Sequence, residues 1–142
     1  MMTEIVNRQR KIKITPDDFQ QFAENAVEII PEARGKSATI AFISDRQMKA
    51  LNKNFRDKNT TTDVLSFPFE ADEFEVGENI LGDIIISVEQ ASRQAAENDL
   101  DLETEIKQLI LHGVLHLCGY DHENDAGEMN RLELKLREKL EI

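Results

Sequence analysis

The 142-residue sequence predicts an α/β domain built on one mixed sheet. Three observations carry this. Segments dense in β-formers alternate with segments of helical periodicity, in the order β-α-β-α-β-β-α-α-α, about four strands and five helices. Side-chain capping signals stand where several of those helices would begin. No internal repeat, low-complexity run or Pro/Gly/Ser-rich linker interrupts the chain, so residues 1–142 read as a single domain.

The first element, Thr3 to Ile14, alternates weakly and reads as an extended segment or edge strand. Thr15-Pro16-Asp17-Asp18 announces a helix, with Thr15 as N-cap, Pro16 at the first helical position and acids in the first turn. Phe19, Phe22, Ala26 and Ile29/Ile30 form its apolar stripe. Ser37 to Ile43 is a strand. Ser44-x-x-Gln47 is a capping box opening a helix that runs to about Phe55. Thr62 to Phe69 reads as a strand stopped near Pro68, Glu70 to Glu78 as an acidic loop or hairpin tip, and Asn79 to Ile86 as another strand. Ser87-x-x-Gln90 caps a helix through Ala96, and Asp99 or Asp101 starts a longer one that carries His112 and His116. Asn124 or Asp125 caps the last helix, with Met129, Leu132, Leu136 and Leu140 facing inward.

Composition narrows the function classes. No apolar run approaches the length of a membrane span, and Met1 to Lys13 lacks a signal-peptide core. A single Cys, Cys118, excludes an intramolecular disulfide framework. The expectation is a cytoplasmic protein in a reducing setting, with no membrane partner. Net charge is −11 but unevenly spread: residues 1–56 carry +3 and residues 57–142 carry −14. A phosphate-rich partner would therefore approach the first half.

All three histidines of the chain lie in one run, His112-Gly113-Val114-Leu115-His116-Leu117-Cys118-Gly119-Tyr120-Asp121-His122. His112 and His116 are one helical turn apart, so both imidazoles project from one face. Gly119 can end that helix in a left-handed turn, and the reversing chain can bring His122 back toward the pair. Three neutral imidazoles converging this way match a zinc site whose fourth position stays open for water. Such a site lowers the pKa of bound water to about 7, which is hydrolase chemistry. Zinc peptidases carry Glu directly after the first His, as general base; here that position is Gly113. Without this carboxylate, peptide hydrolysis lacks its proton acceptor. Gly113 also costs about 1 kcal/mol relative to Ala in a helix interior. Either close approach is wanted there, or a strand simply packs against that point.

Phosphodiester cleavage needs cations near the non-bridging oxygens instead. Arg46, Lys49, Lys53 and Arg56 recur along one face of the second helix and form a candidate RNA-binding stripe, although a solvated helix face would look the same. Met48, Leu51 and Phe55 would face the core from the other side. Arg56 stands at the helix end, where a planar fork can grip phosphate. Asp121 is either an orienting or basic carboxylate or a turn residue beside Gly119. Cys118 is on the wrong helical face to join His116 and reads as buried filler. Asp63 and Asp83 interrupt apolar strands, and either anchor the site or sit at strand ends.

These residues resemble the YbeY family of bacterial single-strand-specific endoribonucleases, also called ribosomal RNA maturation factors. Asn52-Lys53-Asn54-Phe55-Arg56 with Thr62-Asp63-Val64-Leu65-Ser66-Phe67-Pro68 is similar to its N-x-x-[FY]-R…T-D-V-L-S-F-P block. Leu81-Gly82-Asp83-Ile84 is similar to its L-G-D-I strand, and His112 to His122 to its H-G-x-L-H-L-x-G-Y-D-H motif. The resemblance implies an α/β fold, metzincin-like around the metal helix. It implies one zinc ion on His112, His116 and His122, with Arg56 as the catalytically important basic residue. It implies cleavage of single-stranded RNA, maturation of ribosomal RNA ends (notably the 3′ end of the small-subunit RNA), ribosome quality control, and ribosomal or ribosome-associated protein partners. The alternatives are a ribosome-assembly binding factor with a mainly structural metal, and a zinc hydrolase of another class such as a peptidase.

Overall fold

In a computed structural model, which describes residues 3–56, 62–69, 79–121 and 125–142, the chain follows the expected order of elements. It runs β1 (Glu4–Asn7), α1 (Asp17–Ile29), β2 (Ser37–Ile43), α2 (Asp45–Arg56), β3 (Val64–Pro68), β4 (Ile80–Ser87), α3 (Val88–Glu97), α4 (Leu102–Leu117) and α5 (Glu128–Leu140). The four strands form one mixed sheet in the order β1-β2-β4-β3. β1, β2 and β4 are parallel, and β3 pairs antiparallel with β4 at the sheet edge. Pro68, which has no N–H to give to a ladder, ends that edge strand. The acidic stretch Glu70 to Glu78 lies outside the described residues. Among the described residues, no helix is long and apolar enough to cross a membrane.

Alternation along the strands sorts their side chains to two faces. Ala38, Ile40 and Phe42 of β2 and Ile84 and Ile86 of β4 pack with α1 and α4 in the main core. Leu65 of β3 and Ile43 of β2 form a smaller cluster with Met48 of α2, joined by Ala41, Phe67 and Ile85. α2 therefore covers the face opposite the one covered by α4.

Several helix starts follow their local signals. The Ser44 N–H donates to Gln47 Oε1 at 2.9 Å and the Gln47 N–H to Ser44 Oγ at 3.3 Å, closing the capping box. Ser87 Oγ accepts from the Gln90 N–H at 3.3 Å. Of the two candidates for α4, Asp101 is the cap and accepts from the Thr104 N–H at 2.7 Å. Asp99 instead has a left-handed backbone, φ +56°, unlike the extended backbone of a cap residue. Asp125 accepts from the N–H groups of Gly127 and Met129 and so serves α5, while Asn124 lies outside the described residues.

Three expectations need correction. The N-terminal strand is only Glu4–Asn7, because β2 offers it a partner over just that stretch. Thr15 does not cap α1 through its side chain: Pro16 already has helical angles, and the Thr15 carbonyl accepts the turn's hydrogen bond from Asp18. Phe55 is not in the core. It is 65% exposed among the described residues and meets the Phe67 ring edge to face, centroids 5.4 Å apart, at the edge of the sheet where β3 is the last strand. The buried position of that turn belongs to Asn52.

Candidate metal centre

The helix that carries the histidines, α4, lies against β3 and β4. Its approach to the sheet explains Gly113: a β-carbon there would stand 2.8 Å from Ile84 Cγ2, inside van der Waals contact. The strand does pack against that point. Gly82 on β4 has a related cause. Its φ of +142° suits glycine, and a β-carbon would run into the Phe67 carbonyl oxygen of β3.

His112 and His116 are half-buried and face each other, ring centroids 4.6 Å apart at 71°. Their Nε2 atoms approach to 3.0 Å. Two nitrogens on one tetrahedral zinc ion, each about 2.0–2.1 Å away, would be about 3.3 Å apart. A pair of convergent imidazole nitrogens at this separation fits the metal in chemistry and in spacing. The helix then ends as expected. Gly119, at φ +95°, gives its N–H to the His116 carbonyl, and Tyr120 gives its own to Leu115, the paired bonds of a Schellman cap. His122 lies outside the described residues. Among the described residues, no group of three or more His, Cys, Asp or Glu is arranged to hold a metal ion.

The two imidazoles line a cleft of about 530 Å³, together with Thr62, Asp63, Ser66 and Asp121. Asp121 and Asp63 thus share a cleft with the histidines, whereas Asp83 is exposed on β4, away from it. The Cys118 thiol is half-buried, and burial pushes it up to about 11, so it stays a neutral thiol. Arg46, Lys49 and Lys53 are on α2, across the sheet from α4, and do not line this cleft. Arg56 is the last residue of α2, the end of the stripe from which the chain leads into β3. Its side chain lies outside the described residues.

A second cleft, of about 510 Å³, borders the other edge of His112 and includes Asp63, Glu105, Gln108, Glu133 and Arg137. Here His112 Nδ1 meets Glu133 Oε1 at 2.7 Å, and Arg137 Nη2 donates to Glu133 Oε2 at 2.6 Å. Burial alone would raise the Glu133 carboxyl. The hydrogen bond to His112, then the charges of His112 and Arg137, outweigh it and hold the carboxyl below its ordinary value. Glu133 is not among the site residues expected from the sequence. Its signal was a lone carboxylate on the inward face of α5, between Met129 and Leu136, where a charge needs a partner.

Known proteins share this chain's pattern. It matches the family model described as endoribonuclease YbeY over residues 4–141. The endoribonuclease YbeY of Aquifex aeolicus is 40% identical over 134 residues, which are 94% of this chain and 85% of that protein. The one from Thermodesulfovibrio yellowstonii is 33% identical over 153 residues, spanning 96% of each chain. A solution structure from Thermotoga maritima superposes with a TM-score of 0.64 at 26% identity, covering 98% of this chain and 89% of that one.

Proposed function

As the chain belongs to the endoribonuclease YbeY family, we propose that it is a zinc-dependent, single-strand-specific endoribonuclease of ribosomal RNA maturation and ribosome quality control. The observation that carries the metal part is the 3.0 Å approach of the His112 and His116 Nε2 atoms at the wall of an open cleft. His112, His116 and His122 would hold the ion. Zinc, when bound, supplies an acidified water and a Lewis acid for a phosphate oxygen.

The chain's own residues do the rest. Arg56 neutralises charge that develops on the scissile phosphate, through two donors of its guanidinium. Asp121, beside the imidazoles, is the candidate to orient a ligand or take a proton. Arg46, Lys49 and Lys53 bind the strand away from the cleavage point. Because α2 and α4 cover opposite faces, an RNA strand touching both the stripe and the histidines passes over the β3 edge. A single strand can bend that way, whereas a stiff duplex resists it. Gly113, pressed against Ile84, leaves no carboxylate at the position where zinc peptidases carry their base. Ribosomal or ribosome-associated proteins are the expected protein partners.

The test is cleavage of a defined single-stranded RNA by a nuclease-free preparation, before and after chelation and after Zn2+ is restored. His116→Ala and Arg56→Glu should each abolish cleavage while the fold persists. Turnover that survives both chelation and His116→Ala overturns the metal-dependent reading. Turnover unchanged in Arg56→Glu overturns the role of Arg56 alone.

A further inference from the structure

We infer that Glu133, backed by Arg137, is the positioning residue for His112, fixing which ring nitrogen carries the proton and where the ring points. The inference rests on the metal reading above and deepens it.

His112 is in contact through both of its ring nitrogens. Nε2 lies 3.0 Å from His116 Nε2 in one cleft, and Nδ1 lies 2.7 Å from Glu133 Oε1 in the other. A carboxylate can only accept. In the neutral imidazole the proton therefore sits on Nδ1 and is donated to Glu133. That leaves the lone pair on Nε2, the nitrogen aimed at His116 and available to a cation. Without this acceptor the ring could carry its proton on Nε2 and present no ligand there.

Glu133 is well placed to hold the ring. It is 7% exposed, so little water competes for its oxygens. Its second oxygen is occupied by Arg137, one turn further along α5, which holds the carboxylate turned toward α4. Glu133 and Arg137 both come from α5, whereas the two imidazoles come from α4. The docking of α5 on α4 is thus coupled to the shape of the metal centre. Carboxylates behind metal-bound imidazoles raise ligand basicity and set orientation, and their loss weakens metal binding about 10–100-fold.

The experiment measures Zn2+ affinity by competition with a chromophoric chelator for the wild type, Glu133→Gln and Glu133→Ala, each checked for its fold by circular dichroism. Glu133→Ala should bind Zn2+ about 10–100-fold more weakly. Glu133→Gln, which keeps an acceptor oxygen but not the charge, should recover part of the loss. A folded Glu133→Ala with wild-type affinity overturns the inference. In parallel, 15N shifts of the metal-free wild type should place the His112 proton on Nδ1; a proton on Nε2 overturns the inference even if Glu133→Ala does not fold. Wild-type protein that takes up no Zn2+ overturns the metal reading instead. The nitrogen shifts then decide the positioning of His112 by themselves.

Discussion

Gly113 and Ile84 are in such close apposition that a single added methyl would overlap: its carbon would lie 2.8 Å from Ile84 Cγ2 and 3.1 Å from Cδ1. Ile84 is fully buried and branched at Cβ, so it cannot swing aside cheaply. Gly113→Ala gains about 1 kcal/mol of helix propensity. Overpacking costs about 1–3 kcal/mol, so the net effect should be destabilisation of up to about 2 kcal/mol. In an Ile84→Ala background the overlap is gone and the same substitution should stabilise. Urea unfolding of the four proteins in this cycle reads the coupling, and a Gly113→Ala effect of equal sign in both backgrounds would show that the contact is not the cause.

Asp101 links the stability of α4 to pH. The Thr104 hydrogen bonds hold its carboxyl below the ordinary value of about 3.9. A lowered folded pKa contributes stability that is present above the unfolded value and is lost as pH falls through the folded one. Asp101→Ala should therefore melt below the wild type at neutral pH, and the gap should narrow as pH is taken from about 5 to below the carboxylate range. Asp101→Asn, which still accepts from the backbone, should melt between the two. Melting curves followed by circular dichroism measure this, and a gap that stays constant down to pH 3 would contradict it.

Phe55 and Met48 lie on the same helix, yet their truncations should differ in cost. Met48 is fully buried between Ile43 and Leu65, so Met48→Ala should cost about 2–5 kcal/mol. Phe55 is mostly exposed and keeps one edge contact with Phe67, so Phe55→Ala should cost about 1 kcal/mol. Chemical denaturation compares them directly. Equal costs would mean that Phe55 is covered as deeply as Met48.

The same helix shows what was legible in the sequence and what was not. The capping box at Ser44 and Gln47, the Ser87 and Asp101 caps and the left-handed end at Gly119 are contacts within a few residues, and each is written in the local pattern. The pairing of His112 with His116 is equally local, because one turn of helix sets it. Periodicity also assigns Phe55 to the inward face of α2, but it carries no information on where the sheet ends. Which face of the sheet each helix covers is likewise a property of strand order, so the separation of Arg46, Lys49 and Lys53 from the imidazoles was invisible. Glu133 reaches His112 across 21 positions and from another helix, a contact that only the docking of α5 creates.

That docking separates the two imidazoles in a way activity alone would hide. His116→Ala removes one side of the pair facing the open cleft, and the space can fill with water. His112→Ala also takes away the donor to a carboxylate that is almost fully buried, leaving Glu133 with its contact to Arg137. Withdrawing a partner from a buried charged group costs about 1.5–3 kcal/mol. Metal-free His112→Ala should therefore be less stable than metal-free His116→Ala by about that amount, although both should fail to cleave RNA. The comparison is made in excess chelator by urea denaturation, so that metal binding cannot contribute. Equal stabilities would place the Glu133 contact outside the energetics of the fold. A further substitution distinguishes the cause: with Glu133→Ala already in place, His112→Ala should cost less than it does in the wild type, because the contact it breaks is already gone.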